Sequence, residues 1–166
     1  MKGESGKMFE IGEYIVYGVK GVCRIEDITH IDISGADKDR LYYVLAPVGD
    51  GSGRIYAPTD NQKITMRKVI SREEADQLIE DMPKIEQLWV PDDRQREARY
   101  KEAMNTCDYR AWVSIVKTLY IRKQERTAQD ERYMRTAENE LYSELSLTLG
   151  IPKDEMEQYI RERLTQ

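Results

Sequence analysis

Side chains able to do covalent or metal chemistry are few in this 166-residue chain, and their spacing keeps them apart. His30 is the one histidine, and Cys23 and Cys107 lie far from each other, so the sequence holds no CxxC and no ligand cluster of zinc-site spacing. Ser114 and Ser143 lack a G-x-S-x-G elbow. The run from Gly49 to Gly53 (GDGSG) lacks the Lys-Ser/Thr that completes a phosphate-binding loop, and reads as a hairpin turn. The acidic pairs Glu73-Glu74 and Asp92-Asp93 stand where helix N-termini favour negative charge. The expectation is a protein that is not an enzyme and uses neither metal nor cofactor.

Charge offers a second kind of chemistry. Between Arg94 and Arg135 the chain carries eleven basic residues against six acidic ones, inside a protein of net charge −5. A positive block between two negative ones is suited to a polyanion, because local fields rather than net charge steer such encounters. The same block could equally be a solvated helical face.

The elements that must position these residues change character part-way along. Charged residues make up 34% and hydrophobic ones 40% of the chain, as in soluble proteins, and no apolar run approaches the ~20 residues of a membrane span. Residues 1–8 read as a disordered polar leader without the apolar centre of a signal peptide. Two separated cysteines suit a reducing cytoplasm. From Phe9 to about residue 67, short β-branched and aromatic runs alternate with turn formers: Tyr14–Tyr17, Val22–Ile28, Leu41–Ala46, Arg54–Ala57 and Lys63–Met66. That pattern predicts a small, SH3-like β-barrel or strongly bent sheet.

From about residue 68 the pattern turns helical. Ser71-Arg72-Glu73-Glu74 forms a capping box, followed by Ala75, Leu78, Ile79 and Met82 on one face and a stop at Pro83. Asp92 or Asp93 caps a helix running to about Met104. Asp108 caps another, in which Trp112, Ile115, Val116, Leu119 and Tyr120 take the spacing of a buried stripe, with Arg110, Lys117 and Ile121 opposite. Thr127-x-x-Asp130 begins a further helix with Tyr133, Ala137, Leu141, Leu145 and Leu149 inward and Gly150 as its stop. Pro152 opens a last helix with Met156, Ile160 and Leu164 inside. The fold class expected is α+β in two domains, the barrel followed by a bundle of four or five helices.

The order of these parts resembles the CarD/CdnL family of bacterial transcription regulators. The resemblance rests on Phe9–Tyr17 (FEIGEYIVY), Gly21–Ile28 (GVCRIEDI), Tyr42–Leu45 (YYVL) and Ile55–Asn61 (IYAPTDN). In the helices it rests on Arg99-Tyr100-Lys101, Leu119-Tyr120-x-Arg122-x-Gln124-Glu125-Arg126, Ala137-Glu138 and Leu141-x-x-Glu144-Leu145. It implies a Tudor-like domain over 9–67 that binds the RNA polymerase β subunit through a sheet edge, at Arg54, Ile55 and Tyr56. It implies a helical domain over 68–166 that contacts promoter DNA without strong sequence preference, and a function in stabilising or retiming the open complex. The cations expected on DNA are Arg96, Arg99, Lys101, Lys117, Arg122, Lys123 and Arg126; Tyr100 and Trp112 are expected in the core.

Two positions depart from the family. Its Tyr-Pro-x-His-Gly turn is Tyr17-Gly18-Val19-Lys20-Gly21 here, and its wedge Trp, four residues before the Tyr-Lys pair, is Arg96. Arg96 is expected to act as a groove-inserted cation, with Trp89 as the alternative wedge. A reading from another class is a protein–protein adaptor whose basic helices dock an acidic partner.

Overall fold

A computed structural model of the chain describes residues 9–31, 39–49, 53–60, 63–88 and 90–164. The leader at 1–8, the middle of the 49–53 turn and Trp89 lie outside the described residues. The chain divides into two compact units, Met1–Val69 and Ile70–Gln166.

The first unit is a five-stranded antiparallel sheet. Its strands are β1 (Tyr14–Tyr17), β2 (Val22–Thr29), β3 (Tyr42–Pro47), β4 (Ile55–Pro58) and β5 (Met66–Lys68), in the order β4-β3-β2-β1-β5. Period-two alternation sends Ile15 and Tyr17, Cys23 and Ile25, Tyr43 and Leu45, and Ala57 into one core. Among the described residues no ladder joins β4 to β5, so the pairing is that of an open sheet. A register shift between Ile25 and Asp27 makes Glu26 the extra residue of a bulge opposite β3.

The Tyr17–Gly21 turn is built on two glycines with positive φ, Gly18 at 50° and Gly21 at 81°. A Cβ on Gly18 would fall 2.7 Å from the Ile64 side chain. The Gly18 N–H donates to the Thr65 carbonyl at 2.8 Å, and Val16 pairs with Arg67. Register with β1 therefore places the last strand at 66–68 rather than at 63–66.

The second unit holds five helices among the described residues: α1 (Arg72–Asp81), α2 (Arg96–Asn105), α3 (Tyr109–Ile121), α4 (Ala128–Leu149) and α5 (Met156–Leu164). Their starts follow the local chemistry. Ser71 and Glu74 complete a capping box, Asp108 accepts from Arg110 N–H, and Thr127 and Asp130 form a second box. Asp92 caps a short 3-10 turn that leads into α2, and Gly150, left-handed at φ 71°, ends α4. Trp112, Ile115, Leu119, Tyr100, Ala137, Leu141 and Leu145 are buried. None of the described helices is long and apolar enough to cross a membrane.

Four stripe residues differ from expectation, Tyr133 being half-buried as well. Tyr120 is 58% exposed, Leu164 is 41% exposed, and Val116 is half-buried. At Tyr120, Leu164 and Val116 the cause is a groove between α3, α4 and α5 that no other described element of the second unit fills. Val113, absent from the predicted stripe, is buried and lines it.

The entry to the second unit is tied down at its first residue. Ile70 N–H donates to Glu144 Oε2 at 2.7 Å, Thr148 Oγ1 donates to Ile70 O at 2.8 Å, and the Arg72 guanidinium donates to Leu149 O.

Candidate functional site

In the sheet, the expected interface strand is β4, an edge of the sheet among the described residues. It pairs with β3 in the register Leu45↔Ile55, Val44↔Tyr56, Tyr43↔Ala57 and Tyr42↔Pro58. Thr59 N–H donates to Leu41 O at 2.9 Å. Antiparallel pairing alternates, so Ala57 and Ile55 share the phase of Thr59, while Tyr56 turns its N–H and C=O to the open side. Pro58 has no N–H, which leaves a short edge with the Tyr56 amide at its centre. Side chains alternate likewise. Ile55 packs on the sheet core, and Tyr56 is 46% exposed. Arg54 donates from Nε to Glu26 Oε1 at 2.7 Å and from Nη1 to Gly53 O. The bulge in β2 thus supplies the carboxylate that orients Arg54.

In the helices, the cations separate into two groups. Arg96 does not project into solvent: its side chain is 12% exposed, with Nη1 2.6 Å from Asp93 Oδ1 and Nε 3.1 Å from Asp130 Oδ1. Asp130 is fully buried and also accepts from Thr127 N–H. Arg122 lies 3.9 Å from the same carboxylate and donates to Glu125 O. Expected as a groove-inserted cation, Arg96 is paired with two carboxylates and fixed where α2 and α4 begin. Tyr100, on the next turn of α2, has its phenol pushed up to about 12 by burial and by the nearby Asp130 carboxylate.

Lys117 is turned inward too. Its ammonium donates to the carbonyls of Met82, Pro83 and Ile85 at 2.9, 3.2 and 2.5 Å. Neighbouring residues on the same helix complete the attachment of the connector: Ser114 donates to Glu86 O, and Thr118 accepts from Leu88 N–H. Arg126 donates to Glu131, to Leu119 O and to the Met134 sulfur, and is 18% exposed. Arg99, Lys101 and Lys123 remain on the surface. Arg99 stands near Glu102 at 3.8 Å with 37% exposure, Lys101 is exposed, and Lys123 sits 5.9 Å from the centre of the exposed Tyr120 ring. Ile121 is exposed, as its position on the helix predicts.

Sequence reasoning missed Glu26 as the partner of Arg54 and Asp130 as the partner of Arg96. The Thr127-x-x-Asp130 cap was legible, yet nothing in the spacing linked it to a cation 34 residues earlier.

Two family models match this layout. Residues 9–70 match the CarD-like/TRCF RID domain, the Tudor-like RNA polymerase-interacting module, and residues 83–161 match the CarD C-terminal domain. The chain belongs to the CarD/CdnL family. It is thereby an RNA polymerase-interacting transcription regulator. No curated protein matches it. The matched CarD modules cover the sheet with β4 and all of α2, α3 and α4, so both groups of candidate residues lie inside family-matched segments.

Proposed function

We propose that this CarD-family protein regulates initiation by gripping the polymerase β subunit with the open edge of β4 and placing exposed cations of its second unit on promoter DNA. The effect is on the lifetime of the open complex. In this reading the five-stranded sheet is a Tudor-like barrel, the protein is bacterial and cytoplasmic, and it acts as a binding protein rather than an enzyme. The observation that carries the reading is the β4 edge: an outward Tyr56 amide, an exposed Tyr56 ring, Ile55 anchored in the core, and Arg54 oriented by Glu26. An edge of this kind adds a partner strand through main-chain hydrogen bonds, with side chains supplying selectivity.

On the DNA side, Arg99, Lys101 and Lys123 supply phosphate contacts, with a smaller share from the partly exposed Arg122. So few cations on an acidic chain support weak, sequence-independent binding, strengthened when polymerase holds the DNA nearby. Arg96, Lys117 and Arg126 act by holding α2, the connector and α4 in place.

The test is pull-down of the β subunit by an Arg54→Glu, Tyr56→Ala double variant. The expected result is loss of the subunit with the thermal unfolding of the helical unit unchanged. Undiminished capture places the interface elsewhere.

A further inference from the structure

The chain leaves the first unit and enters the second within a few residues, and each unit holds its own end of that passage. On the first side, Thr65 O accepts from Gly18 N–H at 2.8 Å, and Met66, Arg67 and Lys68 are in register with Tyr17, Val16 and Ile15. On the second side, Ile70 is buried and both of its main-chain groups are taken. Its N–H donates to Glu144 Oε2 at 2.7 Å, and its carbonyl accepts from Thr148 Oγ1 at 2.8 Å. Ser71 N–H then donates to Glu74 Oε1 at 2.9 Å. Ile70, Glu144 and Thr148 all belong to the second unit. Val69 is the residue left between the two sets of bonds.

This anchor exceeds what a helix start requires. The capping box of Ser71 and Glu74 is local and sufficient to begin α1. Glu144, by contrast, is a buried residue of α4 that reaches back 74 positions to one amide. Taking a carboxylate out of water is costly, and a charge-assisted bond from an amide offsets only part of that cost. Thr148 stands four residues on, on the same face of α4, and grips the carbonyl of the same residue. The pair is a clamp on the main chain of Ile70, and its direct effect is to deny freedom to the joint.

That freedom matters when two contacts are made by one chain. Once the first contact has formed, the joint sets the effective concentration at which the second is made. Releasing the backbone of one residue multiplies the conformations of the joint about 10-fold, and dilutes the second contact accordingly. We propose that Glu144 and Thr148 are positioning residues that confine the joint to Val69, so that polymerase capture delivers the helical unit to promoter DNA in one coupled step. The coupling rests on the two contacts assigned under the proposed function.

The test compares the full-length wild type with Glu144→Ala, Glu144→Gln, Thr148→Val and an insertion of about four Gly and Ser residues after Val69, which lengthens the joint and leaves the clamp in place. Hydrogen exchange at the Ile70 amide reads the clamp itself. Protection should fall about 10-fold in Glu144→Ala and detectably in Thr148→Val, and should persist in Glu144→Gln, whose carboxamide oxygen still accepts. Open-complex lifetime, measured below the unfolding temperature of every variant, reads the coupling. Glu144→Ala, Thr148→Val and the insertion should capture the β subunit and bind duplex DNA with the wild-type salt slope. The change in lifetime that the wild type produces should shrink about 10-fold in Glu144→Ala and in the insertion, and Glu144→Gln should restore it. Unchanged Ile70 protection in both Glu144→Ala and Thr148→Val overturns the clamp. A full wild-type effect on lifetime in the insertion variant overturns the coupling, whether or not Glu144→Ala folds. A wild type that leaves the lifetime unaltered removes the proposed function and the coupling with it, an outcome separate from the exchange result.

Discussion

Asp130 is a fully buried carboxylate that meets Arg96, Arg122 and the Thr127 amide, and it decides what the cations around it can do. A guanidinium at 12% exposure between two carboxylates is costly to strip of a partner. Asp130→Ala should lower the unfolding free energy of the helical unit by ~3–5 kcal/mol, because it strips the partner from a nearly buried charge and removes half of a capping box. Urea unfolding followed by circular dichroism measures this. Arg96→Ala should likewise destabilise the unit while leaving the salt dependence of DNA binding unchanged. Lys101→Ala and Lys123→Ala should do the reverse, each reducing the salt slope by about 1 with little effect on stability. The sequence displays eleven basic residues from Arg94 to Arg135 and cannot say which are neutralised, since pairing is set by tertiary approach over 34 positions.

Helix α4 gathers several consequences on one element. Its cap at Thr127, its inward Ala137, Leu141, Leu145 and Leu149, and its Gly150 stop are all readable from local spacing. Its polar residues are not: Glu144 holds the amide of Ile70, far along the chain, and Glu140 is half-buried. Burial, reinforced by Glu144 and opposed by Lys153, pushes the Glu140 carboxyl from 4.5 up to about 7. The folded state therefore keeps this proton through a range where the unfolded chain has released it, and the helical unit loses stability as pH rises from about 4.5 to about 7. Glu140→Gln should flatten that part of the stability–pH curve and raise the melting temperature at pH 8, as thermal unfolding across the pH range would register. On α3, Trp112, Ile115 and Leu119 are buried as their periodicity demands, whereas Tyr120 is not. Periodicity identifies an apolar strip and is silent on whether another helix arrives to cover it.

For the whole molecule, the alternation of short strands and then of capped helices was enough to indicate an α+β chain in two parts. The order β4-β3-β2-β1-β5, which puts Arg54–Tyr56 at an edge, depends on non-local pairing that composition does not encode. The account assigns different work to the two units: polymerase capture to the sheet, promoter contact to Arg99, Lys101 and Lys123. Its most direct test is the lifetime of a promoter open complex after heparin challenge, measured with the wild-type protein, the Arg54→Glu, Tyr56→Ala variant and the Arg99→Ala, Lys101→Ala, Lys123→Ala variant. The wild type should change the lifetime. The sheet variant should have no effect because it no longer joins the complex, and the helix variant should still bind polymerase yet leave the lifetime close to that without protein. A sheet variant that fails to bind polymerase but still alters the lifetime as the wild type does would contradict the account.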